Sequence, residues 1–248
     1  MIVMLYLVGI GMEEKDLSLK AIEAMVNSQK VYIESYTSKW LGFKEDLEKL
    51  TRKKIETLDR KDMEEGVRKI LKEAKERSVT ILVPGDPLTA TTHIEVILSA
   101  KKDDLPVKII HAPSIFSVVA ETGLQIYKFG ETVSLPRPRE NYKPVSWMDK
   151  IYKNLEHGLH TLVLLDVEPQ PMTIKEAIKI IKESDEKKLL NDKKIIACSC
   201  LGTEKRLIRC DVIENLIKCS GDFDTPACIV IPGNLHFKEE EALKMWSE

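Results

Sequence analysis

The sequence predicts an α/β protein of two domains, with a mostly parallel sheet in the first and a mixed sheet in the second. Three observations carry this. Short apolar runs alternate along the chain with segments of helical period. The chain has 248 residues, which at roughly 100–200 per domain allows one large domain or two modest ones, and 43% are hydrophobic, enough for a core without disulfide or metal staples. The alternation changes character over Phe129–Glu140, where Pro136 and Pro138, then Pro144, mark irregular chain. We therefore expect a division near residue 128, giving domains 1–128 and 129–248.

Met4–Val8 reads as the first strand and ends in Gly9-Ile10-Gly11. Asp16 or Ser18 caps a helix whose apolar face is Leu19, Ile22, Met25 and Val26. Val31–Ile33 is the second strand, followed by a loop with Tyr36, Thr37, Ser38 and Trp40, a short charged helix, and a strand at Ile55–Leu58. Asp62 opens a helix carrying Met63, Val67, Ile70, Leu71 and Ala74 on one face. Thr80–Val83 is a buried strand stopped by Pro84-Gly85-Asp86-Pro87, and a helix runs from Ala90 to Ala100. Val107–Ile110 and a helix starting at Ser114 complete the first half. This order makes a mostly parallel sheet covered on both faces. In the second half the expected strands are Val133–Leu135, Thr161–Leu165, Ile195–Ser199, Leu207–Cys210 and Cys228–Ile231. Helices near Trp147–Glu156, Ile174–Ile181, Val212–Ile217 and Glu239–Trp246 lie among them.

Composition excludes several classes. A formal net charge of -2 argues against a chain whose main work is wrapping nucleic acid. The longest apolar run, Met1 to Met12, is far short of the ~18 residues of a membrane span, lacks a basic leader and reads as a buried strand. Five cysteines, an odd count, favour reduced thiols in a cytoplasmic protein. Cys198-x-Cys200 places two thiols on one side of a strand, but the other spacings do not make a zinc site, and we expect no metal. No Ser-His-Asp order, phosphate-binding P-loop or His-Glu-x-x-His is present, so nucleophilic and metal-dependent hydrolysis have no support.

In open α/β sheets, ligands bind on the loops beyond the carboxyl ends of the strands. Four such loops stand out. Gly9-Ile10-Gly11 is a weak dinucleotide fingerprint without its third glycine, to be weighed against a tight strand-to-helix turn. Pro84 to His93 holds one carboxylate, Asp86, able to accept from hydroxyl or ammonium donors or to stabilise its own turn. His93 reads as structural rather than as a base. His111-Ala112-Pro113-Ser114-Ile115 presents a helix start able to hold an anion. Leu164-Leu165-Asp166 ends the strongest strand of the second half.

Several blocks together resemble the diphthine synthase family, and in particular its archaeal-type members. They are Leu5 to Gly11 with Lys15 to Ser18, Tyr36-Thr37-Ser38, Pro84 to His93, His111 to Ile115, Thr122 to Val133 and Gly158 to Leu162. The glycine block is shared with the wider tetrapyrrole-methylase superfamily. The resemblance runs along nearly the whole chain. It implies an S-adenosylmethionine-dependent methyltransferase of two α/β domains with the cofactor in a cleft between them, releasing S-adenosylhomocysteine. It implies a cytoplasmic homodimer whose protein substrate is translation elongation factor 2, with no direct contact to nucleic acid or membrane. The substrate histidine already carries a 3-amino-3-carboxypropyl group, whose amine is methylated repeatedly on the way to diphthamide.

Carried onto matching positions, the family's cofactor contacts fall on Met12, Asp86, Thr89, Ser114, Ile115 and Leu165. Two weaker matches add Leu201, where related sequences often have Ala-Gly, and Ala227, where a histidine is common. No catalytic residue is assigned. Asp86 is preferred as a cofactor-binding carboxylate over a general base, and Tyr142 and Trp147 are candidates to face the final quaternary ammonium. The competing readings are a small-molecule, tetrapyrrole-type methylase and a catalytically inactive cofactor-binding module. A nicotinamide oxidoreductase rests only on Gly9-x-Gly11 and on Glu34 at the end of the second strand.

Overall fold

The computed structural model describes residues 3–139 and 144–247, which fall into two compact units, Met1–Phe116 and Ser117–Glu248. In the first unit the elements are β1 (Leu5–Gly9), α1 (Leu19–Asn27), β2 (Lys30–Glu34), α2 (Lys44–Thr51), β3 (Ile55–Leu58), α3 (Arg60–Glu64), α4 (Val67–Glu76), β4 (Val79–Val83), α5 (Ile94–Lys102) and β5 (Val107–Ile110). The strand order is β3-β2-β4-β1-β5 and every pairing is parallel.

Alternation along β1 explains the two-sided packing of this sheet. Leu5 and Leu7 join Val79, Ile81, α4 and α5 on one face, whereas Val8 joins α1, α2 and β2 on the other. The α1 and α5 connections therefore leave the neighbouring strands β1 and β4 toward opposite faces. In this class of sheet such a divergence marks the ligand-binding place, beyond the carboxyl ends of β1 and β4.

The second unit holds β6 (Val133–Leu135), α7 (Ser146–Glu156), β7 (Thr161–Leu165), α8 (Ile174–Ser184), β8 (Ile195–Ser199), β9 (Leu207–Asp211), α9 (Ile213–Lys218), β10 (Ala227–Ile231) and α10 (Phe237–Lys244). Its order is β6-β7-β10-β8-β9, with β6 parallel to β7 and the remaining pairs antiparallel, so the sheet is mixed as expected. One face packs on α7, α8 and α9 through Trp147, Ile151, Ile178, Ile181 and Leu216.

The division falls inside the single-turn helix α6 (Ile115–Val118), upstream of the one expected near residue 128. Hydrogen bonds explain the position. Thr122 O accepts from Trp246 Nε1 at 3.1 Å, and Gln125 N donates to Glu239 Oε1 at 2.9 Å. The chain from 117 to 130 is thereby fastened to α10 and its flank.

Some expected elements differ. The helix expected to open at Asp62 begins at Arg60, capped by Asp59, and is two helices, because Gly66 interrupts the pattern between α3 and α4. α5 starts at Ile94 rather than Ala90, whose φ of 56° is left-handed and cannot continue a helix. The helix after Ser114 lasts one α turn and then tightens to 3-10 geometry over Val119–Thr122. Of the expected face of α1, Met25 is buried and Ile22 packs against the core, but Leu19 is 85% exposed and Val26 45%; Ala21 and Ala24 are buried in their place. The last helix stops at Lys244, before Trp246. Ser18 does cap α1, accepting from Ala21 N at 3.1 Å.

Two buried histidines are held neutral. His160 has no exposed surface; its Nε2 faces Glu239 Oε1 at 3.0 Å and its Nδ1 accepts from Gly233 N at 2.9 Å. Burial pushes its pKa below the ordinary 6.5, although Glu239 pulls the other way. Burial likewise lowers His93, whose ring contacts Pro87 O and Tyr36 Oη. Burial alone would raise Glu239, but the His236 and Gln125 N–H groups, Lys128 and His160 hold it down to about 2.

Acidification should therefore destabilise the fold. Below pH 6.5 the unfolded chain takes up histidine protons that the folded chain refuses, and below 4.5 it also protonates Glu239. Urea midpoints are expected to fall between pH 7.5 and 5.5, and the fall to shrink in a His93→Gln/His160→Gln double variant. An equal slope in that variant would remove the histidines from the explanation.

Candidate functional site

Three loops converge beyond β1, β4 and β5. Gly11 and Gly85 form an antiparallel bridge, with Gly85 N donating to Gly11 O at 2.8 Å and Gly11 N to Gly85 O at 3.2 Å. Gly9 must be glycine because a Cβ there would lie 2.6 Å from Gly85 O and 2.9 Å from Ala112 Cβ. Gly11 must be glycine because its φ is 69° and a Cβ would meet Asp16. The Asp16 carboxylate accepts from Met12 N at 2.8 Å and Glu13 N at 3.3 Å, closing the glycine turn.

Asp86 knits the second loop to the third. It is 7% exposed, and its Oδ1 accepts from Leu88 N at 3.0 Å and Thr89 Oγ1 at 3.1 Å. Its Oδ2 accepts from Ala112 N at 3.3 Å and faces His111 Nδ1 at 2.7 Å. A carboxylate only accepts, so Nδ1 carries the proton. Burial works to raise the Asp86 pKa, but the Leu88, His111 and Ala112 donors outweigh it and hold the group below the usual carboxylate value. Such an acid is ionised at neutral pH and is a poor proton acceptor. Its four contacts match the roughly four lone-pair sites of a carboxylate. A ligand donor can reach it by displacing His111, the most exposed partner, with 68% of its side chain open.

The structure thus brings Met12, Asp86 and Thr89 together in the first unit. Ser114 and Ile115 join them, since a Cβ built on Gly85 would lie 3.5 Å from Ser114 Cβ. Ser114 is buried and Ile115 opens α6.

In the second unit, Leu165, Ala227 and Leu201 gather at one end of the sheet. Ala227 pairs with Ser199, and Ser199 with Leu207. Leu165 follows Leu164, the partner of Cys228. Leu165, Leu207 and Ala227 are all half-buried against the same core, making an apolar shelf across β7, β10, β8 and β9. Leu201 is buried just beyond β8. Within this row the Ser199 hydroxyl is buried and finds no hydrogen-bond partner among the described residues.

Other candidates are absorbed by structure. Glu34, fully buried, accepts from Tyr36 N, Thr37 N and Thr37 Oγ1 and has turned back onto its own loop. Asp166 accepts from Arg137 N and Glu168 N. Trp147 is buried with its Nε1 on Pro144 O at 2.8 Å, and Tyr142 lies outside the described residues. Cys198 pairs with Cys228 across β8 and β10; the Cys228 thiol and burial push the Cys198 thiol well up. Sequence reading missed three contributors: His111 as the partner of Asp86, Asp16 as the clasp of the glycine turn, and the orphan Ser199. The first two are separated from their partners by turns that no spacing rule encodes. The third is defined only by what fails to touch it.

The tetrapyrrole (corrin/porphyrin) methylase family matches residues 4–216. The chain is 42% identical over 257 residues to diphthine synthase of Methanocaldococcus jannaschii, covering 99% of each. It is 39% identical to diphthine synthase of Methanococcus aeolicus, covering 99% of this chain and 98% of that one. A crystal structure of diphthine synthase superposes with a TM-score of 0.91 at 35% identity, over 98% of this chain and 96% of the other.

Asp86→Asn replaces an ionised acceptor of four bonds by a group with one acceptor oxygen. Hydrogen bonds to charged groups are worth about 1.5–3 kcal/mol. The variant should melt several degrees lower. An unchanged melting temperature would mean that the loops hold together without the carboxylate.

Proposed function

We propose the following activity for this chain, which belongs to the tetrapyrrole (corrin/porphyrin) methylase family and, within it, to the diphthine synthases. It is an S-adenosylmethionine-dependent methyltransferase of diphthamide biosynthesis, methylating the amine of the 3-amino-3-carboxypropyl-histidine of elongation factor 2. The likeness along the whole chain carries this reading, and no feature favours a small-molecule substrate or an inactive module.

The residues fit the cofactor class. The shelf of Leu165 and Ala227 with Leu201 suits a flat apolar base, and the orphan Ser199 hydroxyl suits its hydrogen-bonding edge. The loops carrying Met12, Asp86, Thr89, Ser114 and Ile115 suit the polar remainder, with Asp86 and the exposed His111 as its switchable pair. When bound, S-adenosylmethionine supplies a methyl group on a sulfonium, already a good leaving group.

The chain's own part is alignment and exclusion of water. Orientation of the reacting partners can supply about 7–11 kcal/mol of a barrier. An α-amino group titrates near ~8, so about a tenth is free base at neutral pH without assistance. A low-pKa Asp86 accordingly serves as a positioning carboxylate and not as the base. We place the enzyme in the cytoplasm as a homodimer. No helix among the described residues is long and apolar enough to cross a membrane.

The direct test mixes the protein with S-adenosylmethionine and elongation factor 2 bearing the unmethylated intermediate. Mass spectrometry of the modified peptide should show methyl groups added at that histidine. Cofactor binding without addition would sink the assignment. Asp86→Asn should raise the cofactor Kd about tenfold or more and leave the pH–rate curve in place; a shifted curve would make Asp86 a base after all. Ser199→Ala should not destabilise the free protein, because the hydroxyl has no partner to lose. It should weaken cofactor binding several-fold by calorimetry, and unchanged affinity would exclude Ser199 from the base contact.

A further inference from the structure

At the end of the second sheet opposite the Ala227–Ser199–Leu207 row lies a cavity of about 280 Å³. Lys193 and Lys194, just before β8, and Pro232 and Gly233, just after β10, meet there because those strands run antiparallel. Lys244, the last residue of α10, and Ser247, beyond it, close the space. Three lysines thus line one space, with Glu240 the one carboxylate among the described lining residues.

These lysines are poorly matched. Neither Lys193 nor Lys244 has an ion pair or side-chain hydrogen bond among the described residues, while Lys194 reaches only Ser247 Oγ, at 3.3 Å. Lys193 is half-buried, and that burial lowers its pKa with no carboxylate to offset it. The neighbouring acid, Glu239, is already committed to Lys128, His160 and two backbone donors. An ammonium withdrawn from water without a partner is unfavourable, and an entering anion would relieve it.

We propose that this cavity binds a small organic phosphate monoester. A dianion answers the excess of two positive charges left after Glu240 is counted against the three lysines. Lysines recognise phosphate as point charges and lack the planar fork that pairs with carboxylates. The volume sits at the lower edge of small-molecule pockets, roughly 300–1,000 Å³. Pro232, Leu235 and Leu243 give the organic body an apolar wall. The site is independent of the methyl-transfer reading, since none of its residues belongs to the loops or shelf described above.

Amide chemical shifts of the full chain, followed during titration, test this with ribose 5-phosphate, adenosine monophosphate, inorganic phosphate, succinate and adenosine. Both monoesters should move the Lys193, Leu235 and Ser247 signals with Kd values below about 1 mM. Preference for the nucleotide would point to a nucleotide source and equal binding to a sugar phosphate source. Lys193→Gln and Lys244→Gln should each weaken binding at least fivefold while methyl transfer is retained. Succinate binding as tightly as the monoesters would overturn the phosphate class. Unchanged binding in the double variant, or no shift at these residues, would overturn the site. Binding that appears only in a Glu248→Gln variant, at a residue outside the described ones, would also overturn it.

Discussion

One ionised carboxylate, that of Asp86, organises the first unit's loop cluster. A parallel sheet sends its loops out separately, and nothing in the ladder itself relates the end of β4 to the end of β5. Asp86 supplies that relation by accepting from Leu88, Thr89, His111 and Ala112 at once. The Gly11–Gly85 bridge adds the end of β1. Because the bonds go to a buried charge, losing any of them leaves part of that charge unsolvated. The close approach of Gly9 to Gly85 O and Ala112 depends on the same loops staying in place. The glycines and the aspartate are thus one device, in which small residues allow an approach that the charge then holds.

Much of the fold was legible in the sequence, for a physical reason. Buried parallel strands must be apolar on both faces, so Val79–Val83 and its neighbours announce themselves. The expected strands of both halves have counterparts in the sheets. Helix limits were less legible because they depend on local backbone choices. Ala90 in the left-handed region and Gly66 between two helices override a continuous apolar pattern. Leu19 shows the converse: its spacing fits the buried face, but its place at the helix start leaves it open to solvent.

The candidate site divides in the same way. Motif resemblance pointed to Met12, Asp86, Thr89, Ser114 and Ile115, and the loops that carry them do meet. What it missed was pairing. His111 and Asp86 lie 25 residues apart, and only the adjacency of β1, β4 and β5 brings their loops together. Ser199 shows the limit most plainly, since strand period assigns its face but cannot reveal that its hydroxyl lacks a partner.

The strand order has a consequence for how the molecule is made. β1 does not pair with β2, the next strand synthesised, but with β4 and β5, so Leu5 waits for Val79 and Val107. The centre of the first sheet cannot close until most of that unit has been translated, and its long-range pairings make it a slow folder. All three converging loops nevertheless precede residue 117, where the second unit begins. On the ribosome, the first unit can therefore finish its loop cluster while β6 to β10 are still being made, domain by domain in the order of synthesis.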